Sequence, residues 1–339
     1  MLDLAPITRH LRAKAGSQLL VAAVHHLPVF EELSKGPRTI AQIGEKLALA
    51  ERAAMVLFPA LCAMDLLHIN NGLLALTELG TFLTKKNPSN LIGYTGLETE
   101  DPGVLKMVEW LKNDGPADVT QAMSYVKDEH AISPMDIPES AQFFTMALAG
   151  RAKYLSPVVA SKITKHSGHL LDIAGGTGYY TYEWLKANPS ATATLIDRPE
   201  VLKTAESILH EFYNDDIKQR VSFHGADMLE DELPKGDILL AASLFHDWPT
   251  STCVPLMKKF ASALNPGGEL WVHDAFLNDE LDGPLAVTDY SALLFLGTKG
   301  RCYSRKEYRN WFEKAGLVSR IENIPTLMDY GLISAFKPA

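Results

Sequence analysis

The sequence predicts an α/β protein: a doubly wound parallel sheet in the second half, behind a helical front that carries a small hairpin. Three observations support this. From Gly168 onward, short apolar runs ("HLLDIA", "TATLID", "RVSFHG", "DILLAAS", "GELWVHDAF") alternate with helix-length stretches, the rhythm of a parallel sheet. The last runs, "LVSRIENI" and "DYGLISAF", stand a few residues apart, so an antiparallel hairpin closes the sheet. Before Gly168 the apolar residues recur at helical spacing, broken by Asn71-Gly72, a type I′ hairpin signal.

Residues 4–26 read as one or two helices. In "PRTIAQIGEKLALA", Thr39 is the N-cap of another, and a further helix follows from about Ala50 to Asp65. Helices followed by "LLHINNGLLALT" make a winged-helix pattern. As a DNA reader it is poorly charged. The would-be recognition helix, "AERAAMVLFPALCAMD", offers only Arg52, whereas reading DNA needs several Arg or Lys on one face. An apolar helix of this kind suits a second subunit instead. Residues 100–166 read as more helices, with turns at Gly115-Pro116 and Ser133-Pro134. "ESAQFFTMALAGRAKYLSPVVASKI" reads as a long helix joining two domains. The expected division is a winged-helix-like front at 1–98, a helical linker and pocket region at 99–166, and a sheet domain at 167–339.

Composition narrows the function. A chain of 339 residues, 47% hydrophobic and 22% charged, is an ordinary globular protein with more than one core. The net charge of −9 argues against nucleic acid or an anionic membrane as partner. No apolar run would span a bilayer, and "MLDLAPITRHLRAKAG" lacks a signal peptide's apolar region. Cys62, Cys253 and Cys302 form no C-x-x-C pair, which suits reduced thiols in the cytoplasm. No His/Cys/Asp cluster has metal-ligand spacing, so no metal is expected.

Ligands of such sheets bind at the carboxyl ends of the strands, and the polar motifs fall there. Asp172 ends the first strand, and Gly175, Gly176 and Gly178 follow. Asp197 ends the second strand. Asp227, with Met228 beside it, follows the third. Ser243 and His246 follow the fourth. A helix N-cap accounts for any one such acid, but polar residues at successive strand ends point to a site. The dinucleotide fingerprint lacks its third small residue, because Tyr179, Tyr180 and Thr181 follow Gly178. An acid before the glycines would also repel a pyrophosphate. It suits a cation. Asp197 can accept from both ribose hydroxyls and Asp227 from an adenine amine. The ligand so drawn is an adenosine with a positive, phosphate-free tail, and S-adenosylmethionine fits it.

With "LLDIAGGTGYY", "FHDWP", "LNPGGELWV" and "GRCYSRKEYRNWFEKAGL" in place, the chain resembles a class I S-adenosylmethionine-dependent O-methyltransferase. More narrowly, it resembles the family of plant caffeate and flavonoid enzymes, hydroxyindole O-methyltransferase and bacterial antibiotic-tailoring enzymes. The resemblance covers nearly the whole chain. It implies a Rossmann-like catalytic domain, a homodimer built by the front domain, and an acid at the end of the fifth strand that orients the base. Asp274 holds the matching position.

The chemistry is legible independently. A phenol has a pKa near 10 and an imidazole about 6.5. His246 can take the acceptor's proton during attack, contributing about 10²–10⁴-fold, and a carboxylate on its other nitrogen would fix the tautomer. His273 points to the opposite sheet face in a regular strand and reads as structural. The sequence departs from the family twice. Ala174 replaces the first of three glycines, which a φ below zero would tolerate. Cys302 stands where many plant members carry a second acid, leaving Asp274 as the sole orienting acid. Phe144, Met146, Tyr154, Phe295 and Tyr303 are candidate lining of an apolar pocket for a small aromatic or conjugated precursor. Two alternatives use the same motifs: N- or C-methylation or a non-methylating rearrangement, and a winged-helix binding or regulatory protein.

Overall fold

The computed structural model describes residues 2–115, 133–164 and 167–339. The Pro116 half of the expected turn and the helical reading of 116–132 lie outside them. Helix α1 (Ala5–Val21) takes Pro6 in its first turn, where the missing N–H costs nothing. A π-helical turn, Ala22–His26, continues it, and α2 (Val29–Leu33) follows. Helix α3 (Ile40–Lys46) starts at a capping box: the Gln42 amide donates to Thr39 Oγ1 and the Thr39 amide to Gln42 Oε1. Helix α4 (Glu51–Ala63) is apolar nearly all round and buried from Val56 to Cys62, so it serves as a core element. Strands β1 (Leu67–Asn70) and β2 (Leu73–Leu76) pair antiparallel. Asn71 (φ 50°) and Gly72 (φ 78°) turn between them. Helices α5 (Glu78–Thr81), α6 (Ile92–Thr95) and α7 (Pro102–Asn113) complete this stretch.

The long helix α8 (Pro138–Ala160) precedes β3 (His169–Ile173), α9 (Tyr179–Ala187), β4 (Thr192–Asp197), α10 (Pro199–Phe212), α11 (Asp215–Arg220) and β5 (Val221–Gly225). Strand β6 (Gly236–Ala242), α12 (Thr250–Ala263) and β7 (Leu264–Asp274) follow. The chain ends with β8 (Phe276–Leu277), α13 (Leu285–Phe295), β9 (Tyr303–Ser304), α14 (Arg305–Lys314), β10 (Val318–Ser319), β11 (Ile324–Pro325) and β12 (Gly331–Phe336).

The main sheet runs β10-β12-β7-β6-β3-β4-β5, with β11 also on β12. Its central strands are parallel, while β12 lies antiparallel to β7 and β10 to β12. Covered on both faces, β3 and β6 are runs of buried aliphatics such as Leu170, Leu171, Leu239 and Leu240. Each is worth about 1.5–3 kcal/mol on burial. The strand order reverses between β3 and β6, the point where a crevice opens in such sheets.

The described residues fall into two compact units. The residues up to 115 group with Phe276–Arg305, and those from 133 to 275 group with Lys306–Ala339. The expected uninterrupted domain at 167–339 is thus divided. Helix α13 packs on α1 and α4, which draws its segment into the first unit. Among the described residues, no helix is long and apolar enough to cross a membrane.

Candidate active site

The glycine turn links β3 to α9. Ala174 adopts φ 53°, so the condition of a negative φ is not met. A residue with a Cβ pays about 1–2 kcal/mol in that region. Its amide donates to the Ile196 carbonyl at 2.8 Å, so the turn is tied to the neighbouring strand. A Cβ on Gly175 would run into the Leu195 side chain and come within 2.9 Å of Asp172. Gly176 (φ 59°) donates its amide to Asp197 Oδ2 at 2.9 Å, and the Arg198 amide donates to Asp197 Oδ1 at 2.7 Å. Burial pushes the Asp197 carboxyl up to about 6.

Asp172 lies elsewhere than expected. It is fully buried beneath the turn and does not line the cavity above it. Thr181 Oγ1 donates to its Oδ2 at 2.7 Å, while Oδ1 has no partner among the described residues. Burial pushes this carboxyl up to about 7. It supports the loop from below rather than facing a ligand cation. Asp227 lines the cavity as a carboxylate that already has partners. Its Oδ2 is paired with Arg198 Nη1 at 2.6 Å, and its Oδ1 accepts the Leu229 amide at 2.9 Å.

A cavity of about 230 Å³ lies at these strand ends. Gly175, Gly176, Asp197, Asp227, Met228 and Ser243 line it, with Thr145 and Arg151 from α8 and Asp247 and Trp248 after β6. Gly178 is the N-cap of α9 and does not. The hydroxyls of Thr145 and Ser243 are buried without a partner among the described residues. An unsatisfied buried hydroxyl costs about 1–3 kcal/mol, so a polar ligand would be rewarded here. Of the five predicted pocket residues, only Phe144 lines this cavity. Met146 is 49% exposed, and Tyr154 is half-buried with its hydroxyl unpartnered among the described residues. Phe295 is enclosed in the first unit's core, edge-on to Trp110, and Tyr303 is buried under the Arg301 guanidinium. Both are therefore removed from the lining. Helical spacing did not distinguish core from pocket.

His246 sits in a 3-10 turn, Phe245–Asp247, between β6 and α12. Its Nδ1 donates to Asp274 Oδ1 at 2.5 Å. Asp274, at the end of β7, also accepts the Ala275 amide on Oδ1 and the Tyr308 hydroxyl on Oδ2, both at 2.8 Å. All three side chains are buried. Burial alone would raise Asp274, but the charge and hydrogen bond of His246, with the Tyr308 and Ala275 donors, hold it below the usual carboxylate range. Burial alone would lower His246, but Asp274 and then Asp247 outweigh it and raise the imidazole. The second ring nitrogen, Nε2, lies 3.6 Å from Asp247 Oδ1. Asp274 is therefore not the only acid beside the ring. His273 is buried, bonded through Nε2 to Thr326 Oγ1 at 3.0 Å and stacked on Tyr330, and burial pushes it down to about 3. It is a neutral packing residue. Cys302 is buried in the first unit, its amide donating to Ser291 Oγ.

Sequence reasoning passed over Tyr308, Asp247, Arg151 and Arg198. Asp247 and Arg198 each adjoin a singled-out residue and could have been found by charge next to a strand end. Tyr308 carried no such signal. Among the described residues, no group of three or more His, Cys, Asp or Glu could hold a metal ion.

Comparison with known proteins identifies the family of the chain. A family described as "O-methyltransferase domain" matches residues 141–318. The structure of an O-methyltransferase family 2 protein from Planctomyces limnophilus, solved with apigenin, is 35% identical. It matches with a TM-score of 0.86 over 99% of this chain and 96% of that one. The 3-hydroxy-5-methyl-1-naphthoate 3-O-methyltransferase of Streptomyces sahachiroi is 26% identical over 88% of this chain and 85% of its own. Human N-acetylserotonin methyltransferase, solved with S-adenosylmethionine, is 22% identical and shares the fold, with a TM-score of 0.60 over 100% of this chain and 99% of that one.

Proposed function

The chain belongs to the O-methyltransferase family, whose cofactor is S-adenosylmethionine, and from that premise we propose that it methylates a hydroxyl of a small aromatic or conjugated acceptor with His246 as general base. The observation that carries this reading is the buried chain Tyr308–Asp274–His246, set at the ends of β6 and β7. A neutral core does not need three polar side chains in line. A proton acceptor that must become a buried cation does.

The residues present fit the cofactor. Asp197, fixed by two backbone amides, keeps oxygen lone pairs for ribose hydroxyls. Arg151 brings a cation to the cavity for a carboxylate, and the Thr145 and Ser243 hydroxyls await partners. When bound, S-adenosylmethionine supplies a methyl group already activated by its sulfonium. The protein's own part is to align the acceptor oxygen and receive its proton. Nδ1 of His246 is committed to Asp274, so the proton is received at Nε2. The Asp274 carboxylate then faces a full imidazolium, and the Tyr308 and Ala275 donors keep that carboxylate ionised. Raising the imidazole also narrows its gap to a phenol, which eases the transfer.

We further propose that the helices and hairpin of residues 1–98 act as a winged-helix-like dimerisation domain, that 99–166 contribute to the acceptor pocket, and that the part of 167–339 outside Phe276–Arg305 carries the cofactor. The naphthoate in the name of one relative and the apigenin bound in the structure of another support an aromatic substrate. The test of the reading is His246→Ala. It is expected to lose about 10²–10⁴-fold in kcat on a phenol while still binding S-adenosylhomocysteine; full activity in that variant would remove the base.

A further inference from the structure

Arg198 follows the ribose-side acid Asp197, yet its guanidinium is turned to two other carboxylates. Nε and Nη2 donate to Asp136 Oδ1 and Oδ2 at 2.7 and 2.5 Å, and Nη1 pairs with Asp227 Oδ2 at 2.6 Å. A bidentate pair extended into a triad is worth more than an isolated surface ion pair. The triad spans three segments. Asp136 lies in the short 3-10 turn Pro134–Asp136 ahead of α8, Arg198 at the start of α10, and Asp227 after β5. Ser133 and Met135 from that turn line the cavity beside Asp197 and Met228, whereas Asp136 does not.

We propose that Asp136 is a positioning residue for the cofactor: through Arg198 it latches the Ser133–Asp136 turn as a wall of the cavity and so sets how long the adenosine end stays bound. This rests on the cofactor reading above. Asp227 anchors the far side of the same guanidinium, so Arg198 holds two walls together. Because Asp136 has no place in the lining, any effect of changing it on cofactor binding passes through the turn and the ion pair. The ion pair is partly exposed, with side chains 20% and 33% accessible, so salt should weaken it.

The experiment measures S-adenosylhomocysteine binding to the full chain by calorimetry and its dissociation rate by stopped flow. Asp136→Asn is expected to raise Kd about tenfold, mostly through faster dissociation. The effect should fall on KM for the cofactor rather than on kcat. Asp136→Glu, which keeps the carboxylate, should stay within about threefold of the unmodified protein. In Arg198→Gln, adding Asp136→Asn should cost nothing more, because the pair is already broken. Unmodified protein that binds with an unchanged Asp136→Asn variant would overturn the latch alone. Unmodified protein that fails to bind would overturn the cofactor reading and the latch with it.

Discussion

Replacing Asp274 by Asn separates the two services this carboxylate performs, orientation and charge. Oδ1 accepts from both His246 Nδ1 and the Ala275 amide, whereas Oδ2 accepts the Tyr308 hydroxyl. An amide at this position therefore places its oxygen at the Oδ1 site, where two donors converge. Its NH2 faces Tyr308, whose hydroxyl can rotate to accept. The histidine keeps its tautomer and direction. What it loses is the negative charge that supports the imidazolium, an interaction of about 1.5–3 kcal/mol for a charged hydrogen bond. That corresponds to about 10–100-fold in kcat. The pH profile gives an independent sign. The base works only as neutral imidazole, and Asp274 raises its pKa, so the acidic limb of native activity lies above the ordinary histidine value of about 6.5. In Asp274→Asn that limb should move to lower pH even as the plateau falls. Initial rates of labelled methyl transfer to a phenol across the pH range, with calorimetric S-adenosylhomocysteine affinity as control, provide the assay. Full kcat with an unmoved acidic limb would refute the reasoning.

Asp197→Ala removes the oxygens set aside for two ribose hydroxyls and should weaken S-adenosylhomocysteine binding by about 2–3 kcal/mol in calorimetry, while NAD binds neither form. Gly175→Ala drives a methyl group into Leu195 and Asp172 and should lower stability in chemical denaturation by about 1–3 kcal/mol. The full chain should sediment as a homodimer at micromolar concentration, through the first unit, whose apolar side chains Ile7, Leu11, Tyr94 and Leu97 stay exposed in the monomer.

What could be read from the sequence was local. Thr39 as an N-cap and Asn71-Gly72 as a turn declare themselves locally, and both formed as read. Asp197 and His246 could be placed at one edge of the sheet because parallel strands deliver their last residues there, whereas Asp274 came from the family resemblance. The rest depended on distance in the chain. Tyr308 reaches Asp274 across 34 positions, and no periodicity announces which face of α14 meets which strand end. Asp172 was expected to face a ligand because it ends a strand. In β3, however, it points beneath the turn, onto Thr181. Asp227 was read as an acceptor from its place after a strand, and that reading did not reveal its pairing with Arg198. The division of the chain was misjudged for a similar reason. Phe276–Arg305 follows the sheet strands in sequence, yet α13 finds its apolar partners on α1 and α4. Ala174 held a positive φ that its side chain argued against, because the Ile196 carbonyl fixes its amide.

The measurement that bears most directly on His246 as base is the ratio of native to His246→Ala kcat across phenols of graded acidity at fixed pH. With an ordinary phenol of pKa near 10, the ratio should be about 10²–10⁴. With a phenol acidic enough to arrive ionised, there is no proton left to take, and the ratio should fall to within about tenfold of unity. A ratio that stays equally large for ionised and neutral acceptors would mean that His246 positions the acceptor or the fold rather than receiving its proton, and would contradict the assignment.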